Sequence, residues 1–290
     1  MLFFRLVGRV VSESLDDGIL DWAAAVSFYL LFALFPALLF IASLVAALHL
    51  RGTDSLVIAL QRQLPRTAGR LVATQVDRLL KHAGSLLSLS TLLLLYSASQ
   101  GYSGMTGALN AAYEVRETRP YWKRLLLSWA LTITAGLLQV IALLALLTSQ
   151  RVLVGLASLF HLSATVPFLW PVLRWVIVVG TLYAAVALIY RYVPNVQLSG
   201  RARRRGFVPA VATALVLWAV ASVLLGLYID HFANYATIYG SLGAVIALML
   251  WFYVSALALF LGAEVHSEQM KLAGDRPPRP KAAAELPRAA

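Results

Sequence analysis

A stripe of small and polar residues follows a leucine-rich run in the first half of the chain. The run "LLSLSTLLLLY" leads into "SASQGYSGMTGALNAAYEVRE". In a helix, residues spaced three and four apart share one face, and here that face carries Ser97, Gln100, Gly104, Gly107, Asn110 and Glu114. Small residues allow close helix packing in a membrane, whereas amides and a carboxylate could line a hydrated path. The pattern leaves both hypotheses open, a helix seam and a polar pathway.

Further polar candidates stand near the ends of apolar runs in the second half of the chain. Asp230 follows one run, Asn234 leads into the next, and Glu264 closes that last run. Ionisable residues within membrane segments are functional candidates, although Asp230 and Glu264 could simply mark the membrane interfaces. Pro36 interrupts the first apolar run, where it predicts a kink that could serve as a hinge.

The sequence offers little for catalysis or metal binding. The five histidines are scattered among different segments, and no metalloprotease, nucleotide-binding or serine-hydrolase motif occurs. The acidic residues include no pair placed for two-metal chemistry, and the chain has no cysteine for thiolate ligands or thiol catalysis. We therefore expect no enzymatic activity, no catalytic residues, no cofactor and no bound metal.

The elements that must position these residues are membrane helices. The chain has 290 residues, of which 60% are hydrophobic and only 13% charged, whereas soluble domains have about 25% charged residues. A helix needs about 20 apolar residues to cross the hydrocarbon core. The pattern predicts an all-α, polytopic transmembrane bundle with six spans, at about 26–49, 87–111, 125–149, 173–192, 207–229 and 241–264.

Three further segments complete the predicted organisation. Residues 1–21 read as an amphipathic cytoplasmic helix before the transmembrane domain at 22–270, and residues 271–290 read as a disordered cytoplasmic tail. The loop 51–85 has the pattern of an amphipathic interfacial helix or of a lid over a cavity. Residues 152–173 are uncharged and could form a seventh span, but Pro167 and Pro171 favour a re-entrant or interfacial connection.

The net charge of +11 comes from basic residues whose distribution along the chain predicts the membrane topology. With six spans, sixteen of the lysines and arginines fall on the side of the N-terminus and eight on the other side, which predicts that both termini are cytoplasmic. Basic loops on that side would contact the anionic headgroups of membrane lipids. Nucleic acid is not an expected partner, while a second copy of the chain and an envelope protein both remain open.

Several segments resemble the YihY/BrkB family, formerly labelled ribonuclease BN. They are "AAAVSFYLLFALFPALLF" (23–40), "ALNAAYEVRETRPYWKRLL" (108–126), "RYVPN" (191–195), "VPAVATALVLWAVAS" (208–222) and "NYATIYGSLGAVIALMLWFYVSALALFLGAE" (234–264). The resemblance implies a six-helix protein of the bacterial inner membrane, with members linked to serum resistance. The segment "GAEVHSE" has His266 where the family more usually has asparagine.

The leading hypothesis is a non-enzymatic membrane protein that transports or handles a lipid-like or amphiphilic envelope component. Polar residues on the second span and at both ends of the sixth span would then contact the polar headgroup of that component. The alternative is a non-transporting structural or interaction protein that supports envelope integrity or serum resistance. An intramembrane hydrolase is the third and least favoured hypothesis.

Overall fold

The computed structural model describes residues 2–47, 83–148, 165–196, 206–231 and 241–272. These residues form seven helices: α1 (Leu2–Asp16), α2 (Ile19–Ala47), α3 (Ala83–Ala112), α4 (Tyr121–Leu147), α5 (Thr165–Tyr192), α6 (Phe207–His231) and α7 (Ser241–Leu272). No strand occurs within these described ranges. The chain is therefore all-helical over its described part, as the apolar runs predicted.

Five of the seven helices are long and apolar enough to cross a membrane. The qualifying segments are Ile19–Ile41, Tyr121–Leu147, Phe168–Tyr192, Phe207–Tyr228 and Val245–Lys271. Helix α3 has 30 residues, about 45 Å of helix, but the polar residues of its second half keep its hydropathy below that of the other five. The prediction of a helical protein with several membrane spans is thus confirmed, but the predicted number of six spans is not.

Two predicted spans begin seven and eight residues inside the helices that contain them. Helix α2 begins at Ile19 rather than near residue 26, and Asp21 lies exposed in its first turn. Helix α5 begins at Thr165 rather than 173, with Pro171 inside it. Pro167, the third residue of this helix, is tolerated because the first four backbone N–H groups have no partner within a helix, whereas Pro171, the seventh, removes one backbone hydrogen bond. The helix continues through both prolines, so they do not mark a helix break within residues 165–173.

Two predicted regions lie mainly outside the described residues. Of the loop 51–85, only 83–85 are described, at the start of α3, and of the tail 271–290, only Lys271 and Leu272, at the end of α7. Residues 152–164 are likewise outside the described part. The predicted N-terminal helix 1–21 corresponds to α1 and the start of α2, separated by a turn at Asp17 and Gly18.

The chain divides into two compact units, residues 28–101 and residues 1–27 together with 102–290. In the smaller unit, Gly101 of α3 faces Tyr29 of α2, where an added methyl group would make an ordinary contact 4.0 Å from the tyrosine Cβ. The rings of Phe28 and Phe32 lie 4.7 Å apart, and both side chains are exposed. Exposed aromatic rings on a spanning helix suit contact with lipid.

In the larger unit, α6 and α7 form the most extensive helix pair. The Trp218 indole donates a hydrogen bond to Ser255 Oγ at 3.1 Å, and Trp251 donates to Ser222 Oγ at 3.3 Å. The Tyr190 hydroxyl of α5 donates to the Leu259 carbonyl of α7 at 2.5 Å. These bonds satisfy polar groups that would otherwise face hydrocarbon.

Glycine at position 262 permits the closest approach in this packing. A methyl group there would collide with the Tyr190 hydroxyl and the Ala214 methyl group and would lie 3.0 Å from the Ala210 carbonyl oxygen. Helices in lipid associate mainly through such small-residue packing. Gly262 therefore fixes how α5, α6 and the C-terminal half of α7 meet, two residues before Glu264.

Candidate functional site

Five carboxyl groups surround one lysine where α1, the end of α3 and the end of α7 meet. This acidic cluster consists of Glu13, Asp17, Glu114, Glu264, Glu268 and Lys271. The Lys271 ammonium forms ion pairs with Glu268 at 2.6 Å, Glu114 at 2.9 Å and Glu13 at 3.1 Å. The Lys271 ammonium therefore has three carboxylate partners from three different parts of the chain.

Helical spacing explains how the cluster is assembled. Glu264, Glu268 and Lys271 follow one another at intervals of four and three, so they share one face of α7. Glu13 and Asp17 are likewise four residues apart. Helix α1 ends before Gly18, whose φ of 64° is a left-handed conformation that glycine adopts without strain. The resulting turn leads directly from Asp17 into α2.

Glu114 reaches Lys271 from a strained backbone position. Helix α3 ends in a Schellman motif, in which the Glu114 N–H bonds the Ala111 carbonyl and the Val115 N–H bonds the Asn110 carbonyl, both at 2.8 Å. The left-handed position of this motif is normally glycine, yet here it is Glu114 with a φ of 52°. A glutamate at a position that favours glycine is a functional candidate, and its side chain here pairs with Lys271.

The two carboxyl groups outside the ion pairs of Lys271 have buried oxygens without a hydrogen-bond donor among the described residues. Glu264 is fully buried, and neither of its carboxylate oxygens has a hydrogen-bond partner among the described residues; the same holds for the buried Oδ2 of Asp17. The pKa of Asp17 is raised to about 6, mainly by burial; the interaction with Glu264 opposes this rise and the Glu13 carboxylate adds to it. Buried carboxyl groups without a cation favour the protonated form.

A hydrogen-bonded loop network adjoins the cluster through α3. Asn110 donates from Nδ2 to Glu117 at 3.0 Å, and its Oδ1 accepts from the Asn195 backbone N–H at 2.7 Å. Asn195 in turn donates from its amide to the Arg116 carbonyl at 2.9 Å and to Thr118 at 2.8 Å. The ends of α3 and α5 are thereby joined.

The ion pair of Glu117 and Arg119 completes this network. Arg119 Nη2 lies 2.7 Å from Glu117 Oε2, and Nε donates to Oε1 at 2.8 Å, a bidentate arrangement. The guanidinium also donates to the carbonyls of Tyr192 at 3.0 Å and Val193 at 2.6 Å. Partial burial alone would raise the pKa of Glu117, but the hydrogen bonds from Arg119 and Asn110 lower it to about 2.

Tyr113, Phe207 and His266 pack together where α3 ends and α6 begins. The Tyr113 hydroxyl lies 2.8 Å from His266 Nδ1 in a buried hydrogen bond, and the Phe207 ring meets His266 edge-on at 5.7 Å. Tyr113, Tyr190, Phe207 and His266 line one small pocket together with Arg191. His266, which differs from the usual family residue, thus has a defined partner in Tyr113.

The structure brings some of the predicted site residues together and leaves others apart. Asn110 belongs to the loop network, and Glu114 and Glu264 belong to the acidic cluster. Gly104 is buried, and Gly107 faces the Trp22 ring so closely that an added methyl group would collide with it. Gln100 is half-buried. The stripe therefore supplies both a packing contact and polar groups at one end of α3.

The remaining predicted residues lie elsewhere or outside the described part. Asp230 is at the far end of α6 from Phe207, 23 residues or about 35 Å along the helix. Asn234 lies outside the described residues. Pro36 is inside α2 in the smaller unit.

Sequence reasoning missed four members of the cluster, namely Glu13, Asp17, Glu268 and Lys271. The spacing of 264, 268 and 271 on one helix face was the available signal, as was the four-residue spacing of 13 and 17 at the end of α1. No group of three or more histidine, cysteine or acidic side chains is arranged for metal ligation within the described ranges.

The class of the protein follows from three features: apolar helices of spanning length, many exposed apolar side chains, and charges near the helix ends. Together they define a multi-pass membrane protein. Comparison with known proteins specifies the family. The model of the virulence factor BrkB family matches residues 10–285, and the chain belongs to this family. No solved structure matches the chain.

Curated relatives carry two kinds of name. A putative ribonuclease-like protein YfkH of Bacillus subtilis is 34% identical over 265 residues, which are 88% of this chain and 92% of that protein. UPF0761 membrane proteins of Alcanivorax borkumensis and Xanthomonas campestris are 29% and 25% identical, over 91% and 87% of this chain. The chain spans only 59% and 58% of the length of those two relatives.

Proposed function

We propose that the chain transports or handles a lipid-like or amphiphilic component of the bacterial envelope, in the inner membrane and without enzymatic activity. The acidic cluster is the observation that carries this proposal. It gathers a largely buried ammonium and five carboxyl groups where helices of spanning length begin or end, and buried ionisable groups beside membrane segments are functional candidates.

The cluster is open to the membrane surface on one side. Its burial decreases from Glu264, which is fully buried, to Glu13, whose side chain is 38% exposed. Helix α1, which carries Glu13, also exposes Val11 and Leu15, as expected for a helix lying at the boundary of headgroups and acyl chains. A headgroup could approach the charged residues here while its acyl chains remain in lipid.

Six crossings with both termini cytoplasmic are part of the proposal. Glu13 of α1 and Lys271 of α7 form an ion pair, and two side chains cannot meet across about 30 Å of hydrocarbon. The first and last described helices therefore belong at the same membrane surface, which supports an even number of crossings. Contacts of Asn110 with Asn195 and of Tyr113 with His266 bring the end of α3 to that surface, which supports α3 as the additional crossing.

The ribonuclease-like name of the Bacillus relative motivates a direct control. We propose that this chain does not cleave RNA, because its buried carboxyl groups are engaged with a lysine and with each other rather than arranged around metal ions. The purified protein should show no metal-dependent RNA cleavage. Cleavage that disappears on changing Glu264 to glutamine, with folding retained, would overturn this assignment.

Transbilayer movement of a fluorescent phospholipid analogue in proteoliposomes tests the main proposal. We expect the purified protein to accelerate movement over protein-free vesicles. The Lys271→Gln variant should lose most of the acceleration, whereas Asp16→Asn, which changes an exposed neighbouring carboxylate, should retain it. Folding is checked by thermal unfolding in detergent. No acceleration by a folded wild-type protein, or equal rates in all variants, would contradict the proposal and favour the structural alternative.

A further inference from the structure

We infer that Asp17 and Glu264 form a proton-binding site that holds one proton shared between the two carboxyl groups at neutral pH. The inference concerns the acidic cluster but does not depend on transport of an amphiphile. It rests on the count of donors available to the cluster and on the burial of the two groups.

The ion pairs of Lys271 do not include these two carboxyl groups. The Lys271 ammonium pairs instead with Glu13, Glu114 and Glu268, all within 3.1 Å. Glu264 retains two buried oxygens, and Asp17 one, without a donor from the described residues. The Asp17 and Glu264 side chains interact directly with each other, so two ionised carboxylates in this position would repel each other in a medium of low dielectric constant.

A proton resolves both the missing donor and the repulsion. A protonated carboxyl group donates an O–H to its ionised partner, and the resulting charge-assisted hydrogen bond is among the stronger ones. Aspartic protease dyads illustrate the principle that two adjoining carboxyl groups share one proton. Here the raised pKa of Asp17, caused first by burial, agrees with this arrangement.

The groups that face the pair come from three elements. Glu13 from α1 and Glu114 from the end of α3 are acidic, as is Glu268 from α7, while Lys271 offsets them. His266 of α7 faces Tyr113 instead. The formal charge of the six-residue cluster is negative, because five carboxyl groups meet one ammonium, so its electrostatics favour uptake of a proton.

Infrared spectroscopy of the purified full chain in lipid nanodiscs tests the inference. A protonated carboxyl group has a distinct C=O stretching band that shifts on exchange into deuterium oxide. We expect the wild-type protein to show one such band at neutral pH. Asp17→Asn and Glu264→Gln should each remove it, because the new amide supplies the missing donor, while Asp16→Asn should leave it unchanged.

The pH dependence of thermal unfolding supplies a second measurement. A carboxyl group whose pKa is raised by folding loses its stabilising contribution as pH rises from its unfolded value through its folded value. For Asp17 that interval runs from 3.8 to about 6. Both amide variants should fold and should lose less stability than the wild type over this interval. The inference would be overturned if the band were absent at neutral pH or survived in both amide variants. It would also be overturned if the band were absent and sodium ions stabilised the protein against unfolding instead.

Discussion

At the scale of single residues, Lys271 decides whether the acidic cluster can exist in a folded protein. Its ammonium contacts three carboxylates within 3.1 Å, and its side chain is mostly buried. Removing one partner of a buried ion pair leaves uncompensated charge, which costs about 3–5 kcal/mol. The lysine is therefore structural for the cluster as well as a candidate contact for substrate.

The first prediction follows from this arrangement. Lys271→Met should lower the free energy of unfolding by about 3 kcal/mol or more at neutral pH, because Glu114 and Glu268 lose their cation. Lys123→Met, which changes an exposed lysine, should change it by less than about 0.5 kcal/mol. Denaturation in detergent measures both, and equal effects would argue against the ion-pair assignment.

The second prediction concerns the strained backbone at Glu114. Glycine suits its φ of 52°, whereas alanine retains the strain of the left-handed conformation, which costs about 1–2 kcal/mol. Glu114→Gly and Glu114→Ala both remove the ion pair with Lys271, so Glu114→Gly should be more stable than Glu114→Ala by about 1 kcal/mol. Thermal unfolding of the two variants gives the difference directly, and no difference would mean that the αL position imposes no strain.

The third prediction concerns the stabilising contribution of Glu117, which should depend on pH. Its pKa is lowered in the folded state from 4.5 to about 2, so its contribution to stability is present above 4.5 and is lost as pH falls towards 2. Glu117→Gln should be less stable than the wild type at neutral pH, and the difference should shrink on acidification. Unfolding curves across that interval test it; a difference independent of pH would contradict the ion pair with Arg119.

At the scale of helices, close contacts between small residues and aromatic rings set the spacing. Gly107 of α3 faces the Trp22 ring of α2, and Gly262 of α7 faces Tyr190 of α5. These contacts replace the hydrophobic burial that organises soluble bundles, since lipid is as apolar as a leucine side chain. Larger residues at these positions therefore change helix positions rather than fill a cavity.

The fourth prediction addresses the seam within α3. Gly107→Leu should destabilise the protein by about 1–3 kcal/mol, the usual cost of overpacking. The penalty should shrink in a Trp22→Ala background, because the colliding ring is gone. Gly136→Leu is the matched control, since an added methyl group there meets nothing within 4 Å. A penalty unaffected by Trp22→Ala would place the clash elsewhere.

Helix positions were largely predictable from apolar periodicity, but the site was not. The predicted starts at 207 and 241 coincide with α6 and α7, because each apolar run there is long and free of charge. Asp21 and Pro171 misplaced the starts of α2 and α5, since a charge or proline inside a helix end resembles a boundary. The acidic cluster draws on residues 13–17, 114 and 264–271, and nothing in one sequence indicates that such distant segments meet.

At the scale of the whole molecule, the orientation in the membrane is the property to test. The fifth prediction is that reporter fusions at Gly84 and Gly274 report opposite sides, with Gly274 cytoplasmic. Sixteen basic residues against eight favour this orientation, and the Glu13–Lys271 ion pair favours an even number of crossings. Reporters on the same side would exclude the six-span arrangement.

The Glu13–Lys271 ion pair also has a consequence for synthesis at the ribosome. Helix α1 is made first and α7 almost last, so Glu13 and Asp17 emerge more than two hundred residues before their lysine. The acidic face of α1 must remain hydrated, or held by the insertion machinery, until translation is nearly complete. A nascent chain arrested before Lys271 would expose that face together with unpaired apolar helices, and membrane proteases could recognise it as unfinished.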